Sequence, residues 1–225
     1  MLKFDVDPTG ETLFVDVQTL IIAGWAGREQ SEIDAHIKEL EEIGVSPPST
    51  TPLFYRVAAD LLTSKRKLQF VGPDTSGEVE VVLIGTEQGT IVTVGSDHTD
   101  RLAETWSVAL SKQACVKPVS ERCWWLSDVI KHWDQLRITS SITTDQGSVV
   151  YQSGNLDSLL PPRDLLEKFG AQQPELPSGF AMYCGTLPVI DGVRPADVFS
   201  FKLEDPILKR SLEHSYQIDV LHVVS

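Results

Sequence analysis

The chain has 225 residues, 41% hydrophobic and 23% charged, with a formal net charge of −13 at pH 7. That charge disfavours nucleic acid or an anionic membrane surface as the main partner, and no apolar run approaches the ~20 residues of a membrane span. Three cysteines, Cys115, Cys123 and Cys184, are odd in number and lack Cys-x-x-Cys spacing, which points to a reduced, cytoplasmic protein with no cysteine-built zinc site.

Residues 1–23 predict two strands around the turn Asp7-Pro8-Thr9-Gly10, the second running from Leu13 to Ile22 and apolar enough to be central. A glycine-bracketed loop, Gly24-Trp25-Ala26-Gly27-Arg28, leads to a helix. Ser31 caps it, Ile33, Ile37, Leu40 and Ile43 form its apolar stripe, and Gly44 ends it. His36 and Glu39 are surface neighbours on this helix; spacing alone favours a plain contact between them. A proline-rich connection, Ser46 to Pro52, precedes an extended segment through Val57, and Lys65-Arg66-Lys67 reads as a solvated turn.

Glu78 and Glu80 stand at strand spacing ahead of Val81-Val82-Leu83-Ile84, so both point to one face. Thr86-Glu87-Gln88-Gly89 makes a turn, and Thr90 to Val94 returns. A turn centred near Gln88 puts Glu80 opposite roughly residue 96 and delivers Asp97 beside the Glu pair. Singly, a Glu-x-Glu strand is usually a solvated face and an Asp before a helix usually a cap. Three converging carboxylates repel unless protons or a cation compensate them, and we read them as ligands of a hard divalent metal.

Beyond Asp97, Thr99-Asp100 cap a helix with Leu102, Trp106 and Ala109 or Leu110 as apolar positions. Lys112 near its C-terminal end is adequately explained as a complement to the helix dipole. Trp124-Trp125 open a short helix carrying Val129, Ile130 and Trp133, on which His132 reads as structural. A hairpin follows over 136–142 and 148–152, then a helix from Asp164 to Phe169 after Pro161-Pro162, a strand from Gly179 to Cys184, and closing strands at 197–203 and 214–221. The economical reading is a β-rich α+β domain with peripheral helices.

From about residue 20 onward, this order resembles the fumarylacetoacetate hydrolase (FAH) superfamily. The matching segments are His36-Ile37-Lys38-Glu39, Pro52-Leu53-Phe54-Tyr55-Arg56, Glu78-Val79-Glu80, Ser96-Asp97-His98-Thr99-Asp100-Arg101, Ser111-Lys112-Gln113, Gly185-Thr186-Leu187 and Arg194-Pro195-Ala196-Asp197-Val198. The chain departs from the family pattern before His36, at Arg56 where a Lys is common, at Leu187 in place of Pro, and after Lys112. These departures mark a divergent branch. The resemblance implies an FAH-like mixed β-roll or sandwich over residues 1–225. Residues 1–70 would supply N-terminal strands, helix and lead-in segment, and 71–225 a metal-binding β-rich core.

The resemblance further implies Mg²⁺ or Mn²⁺ on Glu78, Glu80 and Asp97, with His36 as base, Glu39 orienting it and Lys112 supplying positive charge. Arg56, Arg101 and Thr186 are its candidate substrate contacts, although for Arg101 a structural ion pair serves equally well. The expected activity is hydrolysis of a carbon–carbon bond in an acylpyruvate-like or other 2-oxo or 1,3-dicarbonyl acid, through an enolate stabilised by the metal, in a homodimer. A hydratase or decarboxylase would use the same residues. A non-catalytic organic-acid-binding protein is the alternative of another class, and it would need no His36–Glu39 pair.

Overall fold

The computed structural model of the protein describes residues 1–42, 47–170 and 175–224, less the side chains of Glu32, His36, Glu39, Leu40 and Glu42. Its central element is a hairpin of the strands Val79–Thr86 and Gly89–Ser96, joined by Glu87-Gln88, with every residue buried except the two flanking the turn. A strand buried on both faces needs apolar and β-branched side chains throughout, and Val79, Val81, Val82, Leu83, Ile84, Ile91, Val92 and Val94 supply them.

The hairpin lies in the middle of an eight-stranded mixed sheet. Strands 11–15, 2–6, 122–125 and 89–96 lie to one side, and 79–86, 180–186, 19–24 and 53–57 continue to the other. A second sheet runs in the order 147–155, 137–144, 198–205, 210–221 and 67–71. Both sheets draw strands from before and after residue 70. Val79, Val81 and Leu83 face the second sheet and join Ile138, Phe199 and Leu212 in one core. Val82 and Ile84, on the alternate face, pack with Phe4, Leu20 and Tyr183 in another. Glu80 shares that second face by the same alternation.

Three local expectations are corrected. The apolar stretch Leu13–Ile22 divides, because Gln18 and Thr19 donate their N–H groups to the Gly179 carbonyl at 2.8 and 3.1 Å and the chain changes partners. Residues 11–15 then form an edge strand and Thr19–Gly24 an interior one. Trp124 and Trp125 lie in the strand Arg122–Trp125, opposite Val92 and Ile91, and the helix begins only at Leu126.

The helix after Asp97 breaks in two. Asp100 caps Arg101–Glu104 and Ser107 caps Val108–Gln113, while Leu102, Trp106 and Leu110 are 60%, 71% and 58% exposed. The face turned inward instead carries Ala103, Ser111 and Lys112. That face brings Lys112 into an ion pair with Asp97. Among the described residues, no helix is long and apolar enough to cross a membrane.

Candidate metal centre

The hairpin register brings the acidic residues together. Glu80 lands opposite Gly95, one residue from the predicted 96, and beyond the ladder Asp97 donates its N–H to the Glu78 carbonyl at 2.9 Å. One carboxylate oxygen each from Glu78, Glu80 and Asp97 then lie within 4.8 Å of one another. Glu80 and Asp97 are 2% and 0% exposed, and Glu78 is partly buried.

Two glycines permit this. A Cβ on Gly95 would sit 2.8 Å from the Pro118 carbonyl and from the Tyr183 ring and hydroxyl, so only glycine leaves Tyr183 room to pack over the strand. Gly185, at φ +98° in an irregularity of the strand Phe180–Thr186, turns its N–H onto Glu80 Oε2 at 2.7 Å. The adjoining Thr186 hydroxyl donates to the Val79 carbonyl and accepts from Gln152 Nε2, both at 2.8 Å.

Cations surround the carboxylates. Lys112 donates to Asp97 Oδ2, while Lys117 Nζ lies 2.9 Å from Asp97 Oδ1 and donates to the His98 carbonyl. Arg101 reaches Glu78 at 2.9 Å and Glu104 at 2.8 Å and donates to the Ser76 hydroxyl. Burial alone would raise the Asp97 carboxyl, but Lys112 and Lys117 outweigh it and hold Asp97 well below the usual range. Burial, joined by the charge of Asp97, drives Glu80 the opposite way, well above the ordinary glutamate value. Burial works against the Lys112 cation, yet Asp97 and Glu78 more than restore it and its pKa is raised; for Lys117 burial prevails and the pKa is lowered.

The residues fit a hard divalent cation. The donor set is all oxygen, the buried Asp97 Oδ1 accepts no aligned hydrogen bond, and among the described residues Glu80 has no charge partner beyond the Lys112 it shares with Asp97.

Of the residues singled out in the sequence, the structure assembles Glu78, Glu80, Asp97, Lys112 and Arg101 in this cluster, Arg101 as an ion-pair partner of Glu78. Thr186 pairs in register with Glu80, with its hydroxyl already engaged in the strand. Arg56 is exposed on the strand Leu53–Val57. Its neighbour Tyr55 faces Lys112, with Nζ 5.8 Å from the ring centroid, so alternation turns Arg56 to the opposite face. His36 and Glu39 belong to the helix Gln30–Glu42, but their side chains lie outside the described residues. The sequence reading missed Lys117, Tyr183 and the Gly185 N–H. A lysine before a proline carries no local mark of burial, and a backbone donor carries no residue signature at all.

A sequence model of the family described as "Protein of unknown function (DUF2848)" matches residues 23–216. Comparison with curated proteins gives no match. Among solved structures, a fumarylpyruvate hydrolase from Pseudomonas aeruginosa, in complex with Mn²⁺ and pyruvate, is 18% identical over 98% of this chain and 96% of its own, at a TM-score of 0.63. A protein described as belonging to the fumarylacetoacetate hydrolase family, from Yersinia pestis CO92, is 17% identical over 96% and 100%, at 0.64. A 2-keto-3-deoxyarabinonate dehydratase is 14% identical over 92% and 75%, also at 0.64. At such identities the likeness is one of fold: the chain has the fold of the FAH proteins.

Proposed function

We propose that this chain, which belongs to the DUF2848 family of proteins of unknown function, is a divalent-metal-dependent enzyme that hydrolyses a carbon–carbon bond in an acylpyruvate-like or other 2-oxo or 1,3-dicarbonyl acid. The observation that carries this reading is the convergence of three carboxylates within 4.8 Å, two of them buried. The Mn²⁺ and pyruvate held by a fumarylpyruvate hydrolase of the same fold support it.

Glu78, Glu80 and Asp97 would hold the ion, Mg²⁺ or Mn²⁺. When bound, such an ion supplies Lewis acidity that stabilises negative charge developing on a chelating substrate oxygen. Arg101 fixes the Glu78 carboxylate and the Gly185 N–H fixes that of Glu80, so neither has to reorganise when substrate arrives. Lys112 adds positive charge at the Asp97 side of the site for the acid group of the substrate. His36, oriented by Glu39, would take a proton from water, and the hydroxide so formed would add to the carbonyl carbon of the acyl group; collapse of that adduct would re-form the carbonyl and break the carbon–carbon bond, whose electron pair leaves as the enolate of the 2-oxo acid and takes back the proton from His36.

A second reading, a hydro-lyase or decarboxylase, is supported by the dehydratase that shares the fold. An ultraviolet assay with Mg²⁺ or Mn²⁺ over acylpyruvates, oxaloacetate and 2-oxo-dienoates separates the two. Hydrolysis gives two acids from an acylpyruvate, whereas a lyase acts on the dienoate or oxaloacetate alone. In the same assay His36→Ala is expected to lower turnover by about 10²-fold or more with Mn²⁺ affinity unchanged. Equal loss of both would make His36 a support of the metal site and not the base, and no turnover by wild type over the whole panel would leave a non-catalytic acid-binding protein.

A further inference from the structure

Lys117 is a part of the centre that the proposed chemistry leaves unused. Its side chain is 0% exposed, and its ammonium lies 2.9 Å from Asp97 Oδ1, the oxygen that Lys112 does not take. Its other partner is a neutral group, the His98 carbonyl. Burying a second lysine against a carboxylate that already has one is costly and adds little to folding. Its effect falls on whatever else Asp97 binds. Among the described residues, three cations already face the three carboxylates, Lys112 and Lys117 at Asp97 and Arg101 at Glu78, with the part-exposed Glu104 sharing Arg101.

We propose that Lys117 is a positioning residue that makes the centre bind its cation and its acid as a pair. It holds the Asp97 carboxylate in place and opposes a divalent cation bound alone. A chelating dianion, whether a dicarboxylate or the enolate of a 2-oxo acid, restores the balance of charge. This rests on the metal reading above and deepens it. Two like charges within a few ångströms in a buried site repel strongly even at an effective dielectric constant of about 20. The dianion therefore gains what the lone cation lacks. Linkage makes the effect reciprocal: the acid tightens the cation by the same factor as the cation tightens the acid.

The test is Mn²⁺ binding to the full chain by calorimetry, with and without oxalate, corrected for the Mn²⁺–oxalate complex that forms in buffer. Wild type, Lys117→Gln and Lys117→Met are compared, each checked by its melting curve. Glutamine keeps a donor for the His98 carbonyl and removes the charge, so it carries the test if the methionine variant does not fold. In wild type, oxalate should tighten Mn²⁺ about tenfold or more. In Lys117→Gln, Mn²⁺ alone should bind about tenfold more tightly, and the effect of oxalate should shrink by a similar factor. A folded Lys117→Gln that is less stable but binds Mn²⁺ no more tightly would show a merely structural lysine and overturn the proposal with the metal reading intact. A wild-type protein whose Mn²⁺ affinity ignores oxalate would overturn it without any variant. Wild type that binds no Mn²⁺ under either condition would remove the metal reading and this proposal together.

Discussion

Replacing Asp97 by asparagine keeps the side chain's size and removes the charge on which two buried lysines depend. Asp97 is 0% exposed, Lys117 0% and Lys112 7%, so water can take over little of the lost interaction. The asparagine oxygen accepts from one ammonium, while its amide N–H groups face the other. Breaking a buried pair by removing one partner costs about 3–5 kcal/mol, most of it the burden of an uncompensated charge. For a chain of this length, each kcal/mol moves the melting temperature by about 2–4 °C, so Asp97→Asn should melt about 6–20 °C below wild type. The assay is a thermal melt in EDTA at pH 7, which keeps metal binding out of the comparison. Adding Lys112→Met to Asp97→Asn should return part of the loss, because it removes one of the stranded lysines. Melting within about 2 °C of wild type would refute the idea that Asp97 is the counter-charge on which this cluster is built.

Glu80→Gln should act in the opposite sense. Burial, then Asp97, holds the Glu80 carboxyl above the ordinary glutamate value of 4.5. A group raised in the folded state contributes stability below its unfolded pKa and loses that contribution as pH rises through its folded pKa. In EDTA, wild type should therefore lose stability relative to Glu80→Gln as pH rises above 4.5; a difference that stays flat with pH would count against it. Gly95→Ala places a methyl 2.8 Å from the Pro118 carbonyl and the Tyr183 ring, an overpacking that should cost about 1–3 kcal/mol. An unchanged urea midpoint would show that Tyr183 yields freely.

The sequence was informative wherever a local period settled the outcome. The hairpin carrying Glu80 could be placed to within one residue because a tight turn and an apolar strand leave few registers. The helix Pro162–Phe169 follows from Pro162 at its first turn and Gly170, left-handed at φ +86°, at its end. Local reading failed where a distant partner decided. The stripe Leu102, Trp106 and Leu110 has helical spacing suited to burial, yet the inward face is the one that brings Lys112 to Asp97. The strand Leu53–Val57 contains both Tyr55 and Arg56, and only the neighbouring sheet determines which of the two faces Lys112.

By itself the sequence determined the β-rich class and the carriage of Glu78, Glu80 and Asp97 at the open end of one hairpin, because alternation and turn chemistry act over a few residues. The tertiary structure alone decided the electrostatics of the centre: that Lys117 is buried against the same carboxylate as Lys112, that the Gly185 N–H anchors Glu80, and that Arg101 is committed to Glu78. Charge interactions and desolvation depend on distance in space and on how much water is excluded. Neither can be read from residues that lie far apart in the chain until the two sheets have packed.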